Sequence, residues 1–398
     1  MRFRPVILLA VLAAVTSCSG GTGVGEVPAP TSGGAPSTPS STVGTPGFKV
    51  ETVAGGLSHG WDIGFLPDGK VLVSQRPGRF TLLSSGQPGA SSTQVRADTA
   101  DVLVRGEGGL MGMVIHPDFA TSRQFTTCQT HTEGGKPKDI RLVTWRLADD
   151  GQSASRVKDL LTGLPISTGR HSGCRPTLAP DGALLVGTGD TASNPLIPQD
   201  RNSLGGKVLR IDLGTGQPVA GNPVPGSRIL TFGHRNVQGV AIRPGSGQVF
   251  TAEHGPDKND EVNLIKPGAN YGWDPSRGGA NTTRYDESVP MTDLQRFPDA
   301  VPAIWQSGET TEAICAATFL SGRQWGTLDG ALVITALKGA KVLLLTLTEA
   351  GTVASVAIPP EFNDQFGRLR AARTGPDGAL YLTTTNGDDD KLLRVTPA

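Results

Sequence analysis

The sequence predicts an all-β chain, and three observations carry that prediction. No stretch holds a sustained helical period. Glycine and proline are abundant, 54 and 30 of 398 residues, and turn signals punctuate the chain throughout. One unit also recurs: apolar residues, a Pro-Asp-Gly-like turn, then an alternating strand.

The clearest copies of that unit are Phe65-Leu66-Pro67-Asp68-Gly69 before Val71-Leu72-Val73, Leu178-Ala179-Pro180-Asp181-Gly182 before Leu184-Leu185-Val186, and Gly375-Pro376-Asp377-Gly378 before Leu380-Tyr381-Leu382. Weaker copies are Ile115-His116-Pro117-Asp118, Ile242-Arg243-Pro244-Gly245 and Thr327-Leu328-Asp329-Gly330. Six copies at uneven spacings of roughly 50 to 85 residues predict a six-bladed β-propeller of four-stranded antiparallel blades. Each blade buries its faces against its neighbours, so the ring has to close, and Phe48 to Val53 is placed to close it against the last blade. Separate sandwich domains would need a linker after Pro46, and the sequence has none.

The amino terminus reads as a targeting segment. Arg2 and Arg4 precede an apolar run from Val6 to Val15, too short to span a bilayer. The run ends in Val15-Thr16-Ser17-Cys18, which looks like a bacterial lipobox. Residues 1–17 are therefore expected to be a lipoprotein signal peptide, with Cys18 acylated and the protein held to the cell membrane on its extracytoplasmic side. Residues 18–47 are nearly all Gly, Ser, Thr, Pro and Ala, a flexible tether with too little apolar surface to fold. Residues 48–398 form the folded part.

Lys plus Arg and Asp plus Glu are 36 each. No global field favours nucleic acid, and any anion site has to be a local cluster of cations. With Cys18 assigned to lipid, Cys128, Cys174 and Cys315 remain. An odd number in an oxidising compartment gives one disulfide and one thiol. Cys128–Cys174 is the preferred pairing, and the sequence leaves the choice open.

The densest polar stretch runs from Thr231 to Trp273. It contains Gly233-His234-Arg235-Asn236-Val237-Gln238-Gly239, then Glu253-His254-Gly255-Pro256, Asp260-Glu261-Val262-Asn263 and Asn270-Tyr271-Gly272-Trp273. A second stretch is Arg170-His171-Ser172-Gly173-Cys174-Arg175. His234 and His254 are read as loop braces, the Asp260-Glu261 pair as a turn brace before a calcium ligand, and Tyr271 and Trp273 as packing between blades.

These strings resemble the glucose/sorbosone dehydrogenase family, which includes soluble aldose sugar dehydrogenases using pyrroloquinoline quinone (PQQ). Gly106-Glu107-Gly108-Gly109-Leu110-Met111-Gly112, His116-Pro117-Asp118-Phe119, Leu337-Lys338 and Arg368-Leu369-Arg370 extend the resemblance along nearly the whole folded part. It implies a six-bladed propeller with PQQ at the channel mouth and calcium beneath it. It implies that His171 removes a proton from a sugar hydroxyl while hydride passes to the quinone, work that suits an imidazole. The carbonyls of Gly255 and Pro256 map to the calcium site, and oxygen ligands suit that hard ion. Arg235, Asn236, Lys338, Arg368 and Arg370 map to the groups that hold the cofactor's carboxylates.

The sequence departs from the family at four positions. Glu107 stands where the family has Gln beside the cofactor. Arg170 replaces the Asp that many members carry before the catalytic His, and Thr191 replaces a Gln near the substrate. Ala371 replaces an Asp after the second Arg. A carboxylate beside a polyanion calls for a partner, and a Glu107–Arg170 salt bridge is the expected one. The function these readings give is a PQQ- and calcium-dependent dehydrogenase of an aldose or related polyol, passing electrons to an acceptor the sequence does not name. The alternative is a catalytically altered propeller lipoprotein that binds a ligand or envelope partner without turnover. A lactonase-like propeller would need a carboxylate cage around its metal, which these motifs do not provide.

Overall fold

The computed structural model describes residues 46–281 and 283–398. The signal segment, Cys18 and nearly all of the tether lie outside the described residues. No helix among the described residues is long and apolar enough to cross a membrane.

Among the described residues, twenty-four strands follow one another with almost no helix between them. β1 (Phe48–Leu57) stands apart from its sequence neighbours. β2 (Gly60–Phe65), β3 (Val71–Gln75), β4 (Arg79–Leu83) and β5 (Ser92–Ala97) form one antiparallel meander. β6 (Leu110–Ile115), β7 (Gln124–Glu133), β8 (Lys136–Leu147) and β9 (Ser153–Leu164) form the next. A two-residue parallel contact between β5 and β9 joins these two meanders into one eight-stranded sheet. Three four-stranded sheets follow: β10 (Gly173–Leu178), β11 (Ala183–Thr188), β12 (Lys207–Asp212) and β13 (Ile229–Phe232); β14 (Val237–Ile242), β15 (Val249–Glu253), β16 (Glu261–Leu264) and β17 (Trp305–Gln306); β18 (Ile314–Phe319), β19 (Leu332–Ala336), β20 (Val342–Leu347) and β21 (Val353–Ala357). The last sheet joins β22 (Leu369–Thr374), β23 (Leu380–Thr384) and β24 (Asp390–Pro397) to β1, with Phe48 opposite Pro397. The strand expected to close the fold from the amino terminus does so.

Each of the six repeated turns lies in the first hairpin of a meander, between β2 and β3, β6 and β7, β10 and β11, β14 and β15, β18 and β19, and β22 and β23. The chemistry of the turn explains this. In the clearest copies the glycine N–H closes the turn onto the residue three back, Gly69 to Leu66 and Gly182 to Ala179. Both glycines have positive φ, near 84°, which costs glycine nothing. The aspartate caps the turn by accepting from the N–H two residues on, as Asp181 does from Ala183.

The first strands of the meanders pack side by side in the order β2, β6, β10, β14, β18, β22, and β22 returns to β2. They are mostly buried, whereas outer strands such as β9 and β21 expose most residues. Apolar faces fill the spaces between neighbouring sheets. Leu72, Phe80, Met113, Phe125 and Trp145 form one such layer, with Phe80 edge-on to Phe125 at 5.3 Å. Each of these side chains contributes roughly 1.5–3 kcal/mol by leaving water.

The inner strands meet at an ionic hub. Asp62 on β2 is fully buried, forms an ion pair with Arg175 Nη1 of β10 at 2.9 Å, and accepts from Arg373 Nε and Nη2 of β22 at 3.0 and 2.9 Å and from the Met113 N–H of β6 at 2.9 Å. Arg175 goes on to donate to the Gln238 carbonyl of β14 and lies 3.8 Å from the Cys315 sulfur of β18. All six inner strands are thus tied through one carboxylate and its two guanidiniums. Cys128 of β7 and Cys174 of β10 form a disulfide with a sequence separation of 46, and Cys315 is a buried free thiol. A cross-link closing such a loop is worth about 4 kcal/mol in the chain-entropy model. Replacing Asp62 by Asn should cost roughly 3–5 kcal/mol by leaving one buried and one half-buried guanidinium short of their counter-charge. Urea unfolding checks this, and an unchanged midpoint would contradict the hub.

Candidate functional site

The site lies where the ends of the inner strands converge. His171 precedes β10 in a turn with φ of 46°, and its imidazole is buried. Its Nδ1 lies 2.7 Å from Asp190 Oδ1. The other carboxylate oxygen accepts from Trp273 Nε1 at 2.7 Å and the Tyr285 hydroxyl at 2.5 Å. Burial would raise the Asp190 pKa, but His171 and the hydroxyl of Tyr285 outweigh it and hold the acid below its ordinary value. Asp190 holds the imidazole through Nδ1, which leaves Nε2 as the ring nitrogen that Asp190 does not engage. Tyr285 is raised far above the usual tyrosine range, by burial first and then by Asp190, so it stays a donor.

The backbone is strained here. His171, Cys174, Thr191 and Ala192 all have positive φ without being glycine, and such residues gather at functional sites. A Cβ at Gly189 would run into the His171 carbonyl, which explains the glycine before Asp190. Thr191 is buried, donates its N–H to that same carbonyl at 3.3 Å, and pairs its hydroxyl with Ser193.

Glu107 does not pair with Arg170. Its carboxylate accepts from the His171 N–H at 2.9 Å, from Asn236 Nδ2 at 3.1 Å and from Gln238 Nε2 at 2.7 Å. Burial pushes this acid up, while the fields of His171 and His254 and the hydrogen bonds from Asn236 and His171 bring it below its ordinary value. In place of the expected Arg170, the partners of Glu107 are amide N–H donors, with no guanidinium among them. Arg170 points elsewhere and pairs with Glu287 at 2.5 Å.

Glu107 also borders a cavity of about 280 Å³ lined by Gln238, His254, Lys338, Arg368 and Arg370. Three of the four predicted cations meet here. Lys338 and Arg368 are exposed at its mouth, and Arg370 is buried, donating to Gln238 Oε1. A fourth cation, Arg76, lies close enough to Arg370 to lower its own pKa, after burial. Arg235 is not among the lining residues. It is buried beneath the next loop, donating to the carbonyls of His254 and Gly255 at 2.6 and 2.8 Å and pairing with Glu287 at 3.4 Å. Gly255 also accepts from His254 Nδ1 at 2.5 Å, so a cation taking that carbonyl would have to turn both donors away. His254, read from sequence as a loop brace, is also a wall of the cavity. A groove of about 500 Å³ beside Arg201, Val224 and Arg228 is larger, but the buried polar network converges on the smaller one.

Asp260 is a brace as expected, accepting from the Gly255 N–H and the Thr311 hydroxyl, both at 2.8 Å. His234 is fully buried between Thr231 and Glu253 and stacks on Tyr271 at 4.5 Å. No cluster of three or more His, Cys, Asp or Glu side chains among the described residues is arranged for a metal, so a cation would depend on main-chain oxygen. Sequence reasoning missed Asp190 as the partner of His171, and Tyr285 and Glu287 altogether. The latter two lie more than 110 residues along the chain from His171 and carry no motif.

Glu261 has its pKa pushed up to about 8, by burial first and by the Glu253 carboxylate second. Folding therefore favours the protonated acid. That contribution is complete below an unfolded-state value of 4.5 and is lost as pH rises through about 8. Glu261→Gln should flatten the decline in unfolding free energy between about pH 5 and pH 8. Urea titrations at each pH read this, and a slope equal to the parent's would contradict it.

The glucose/sorbosone dehydrogenase family matches residues 57–394. The aldose sugar dehydrogenase YliI of Escherichia coli is 28% identical over 360 residues, covering 88% of this chain and 93% of that protein. Quinoprotein glucose dehydrogenase B of Acinetobacter calcoaceticus is 31% identical over 234 residues, 52% of this chain and 48% of that one. The PQQ-bound aldose sugar dehydrogenase of Streptomyces coelicolor superposes with a TM-score of 0.72 at 29% identity, covering 88% of this chain and 98% of that one. With the family match spanning nearly the whole folded length, the chain belongs to the glucose/sorbosone dehydrogenase family.

Proposed function

We propose that this protein is an exported, lipid-anchored dehydrogenase that oxidises an aldose or related polyol with PQQ and calcium, on a six-bladed propeller in which the eight-stranded sheet counts as two blades. The observation that carries the reading is the cation-lined cavity next to His171. Lys338 and Arg368 make no ion pair among the described residues. Arg76 Nε and Arg235 Nε are buried with no hydrogen-bond partner. Cations short of acceptors suit a polycarboxylate, and the cavity is close to the size usual for small ligands. The relatives named above, one of them PQQ-bound, support the same cofactor.

Lys338, Arg368 and Arg370 would hold the cofactor's carboxylates, with Asn236 and Glu107 fixing the wall beside His171. Gly255 and Pro256 would offer carbonyl oxygen to calcium once Arg235 and His254 turn away from the Gly255 carbonyl. PQQ, when bound, would supply the hydride acceptor. His171 Nε2 takes the proton of the substrate hydroxyl, Asp190 orients the ring and balances the charge it gains, and Trp273 and Tyr285 hold Asp190 still. Arg170 and Thr191 belong to the substrate side, Thr191 by bracing the His171 turn. Cys18 carries the lipid, residues 1–17 direct export, and the tether places the enzyme on the outer side of the cell membrane.

Titration with PQQ and calcium, followed by dye reduction over a panel of sugars, tests the reading. His171→Ala should abolish turnover and leave PQQ affinity nearly intact. Arg368→Ala and Arg370→Ala should each weaken PQQ binding roughly ten- to a hundredfold. Saturable binding with no turnover would favour the alternative, a ligand-binding propeller. No binding at all would end both.

A further inference from the structure

Glu287 occupies a position that neither the turn repeat nor the family strings single out. Its Oε1 accepts from Arg170 Nη2 at 2.5 Å and from Arg235 Nη2 at 3.4 Å, and stands 3.8 Å from His171 Nε2. Nδ1 of His171 is committed to Asp190, so Nε2 is the nitrogen that a substrate hydroxyl has to reach. A separation of 3.8 Å is too long for a hydrogen bond. The carboxylate faces the base without binding it.

Among the described residues, Glu287 is the one anionic partner of both Arg170 and Arg235. Its side chain is one-third exposed and that of Arg170 about half exposed, so the pair meets solvent at the rim beside the base. Tyr285, two residues earlier, reaches under the imidazole to Asp190, and Arg277 bonds Asp286 and Ser288 on either side of Glu287. The loop is tied at both ends of the segment that presents the carboxylate.

We infer that Glu287 is a specificity-determining residue: an internal carboxylate that fills the place where a substrate carboxylate would pair with Arg170, reserving the site for neutral sugars and polyols against uronic acids. This rests on the dehydrogenase reading. A neutral sugar can donate a hydroxyl to Glu287 while the ion pairs stay intact. A uronate meets a like charge, and it gains Arg170 only by displacing an intramolecular partner. Without Glu287, two guanidiniums beside the base lack a counter-charge, and Arg235 is buried, where an unpaired charge is costly. A substrate carboxylate would then be the best group to supply it.

The test is Glu287→Gln, which keeps the size and removes the charge. Glucuronate and galacturonate should raise the unfolding temperature of the cofactor-free variant above a sodium chloride control at equal ionic strength, and should leave the cofactor-free parent unmoved. In protein loaded with PQQ and calcium, the kcat/KM ratio of uronate to matching aldose should rise about tenfold or more, the scale of one charge-assisted hydrogen bond. Glu287→Asp should return the ratio toward the parent's, and adding Arg170→Gln to Glu287→Gln should cancel the gain. Should Glu287→Gln misfold, Glu287→Ala and Arg170→Gln alone carry the comparison, the latter raising no uronate preference. Equal ratios in parent and variant, or a parent already stabilised by uronates, would overturn the inference. A loaded parent that oxidises no sugar would instead sink the dehydrogenase reading, with the cofactor-free arm still deciding the anion selectivity.

Discussion

The Asp62 carboxylate is the point on which the architecture turns. Strands in a ring of sheets are hydrogen-bonded within each sheet but not across the centre, where side chains alone must set the spacing. Here one buried anion belonging to β2 accepts from β6 and β22 and pairs with Arg175 of β10, and Arg175 extends the set to β14 and β18. Burial disfavours the charge on Asp62, yet Arg175 and Arg373 more than offset that and hold its pKa below the ordinary value. Arg175 also stacks 4.1 Å over Trp61, and Arg370 lies over the same ring at 5.3 Å. The floor of the cation-lined cavity is thereby continuous with the structural hub.

That continuity explains why the site tolerates so many buried polar groups. Glu107, Asn236 and Gln238 satisfy one another. Asp190 accepts from His171, Trp273, Tyr285 and the Ala192 N–H. Fully bonded networks of this kind hold their members in one arrangement, and they keep His171 in a backbone conformation it would not adopt freely. The placement of Glu107 resolves the conflict its sequence position suggested. Its negative charge is spent on neighbouring N–H groups, and it faces the cavity as a wall.

The fold was legible in the sequence because its signal is local. A Pro-Asp-Gly turn needs only four residues to be recognised, and all six copies fall in equivalent hairpins. The Cys128–Cys174 pair, one of three choices, depended on where β7 and β10 meet, and nothing local could fix it. Within the site, His171, Glu107, Lys338, Arg368 and Arg370 were found through their motifs. Asp190 was in view but unassigned, because its role depends on a turn at His171 that brings together residues 19 apart. The expected Glu107–Arg170 pair failed for a related reason. The two stand close along the rim, but the strained turn sends the Arg170 side chain outward to Glu287, and the main-chain N–H of His171 takes its place. Tyr285 and Glu287 come from a loop with no periodic pattern, so only the assembled ring reveals them.

The pairing of β1 with β24 has a consequence for how the chain reaches this shape. The outermost strand of the last sheet is the first to emerge in synthesis, and its hydrogen-bonding partner, opposite Phe48 at Pro397, is among the last. The circle cannot shut until nearly every residue is available. A nascent chain would carry an orphaned leading strand and an open seam through almost its entire production.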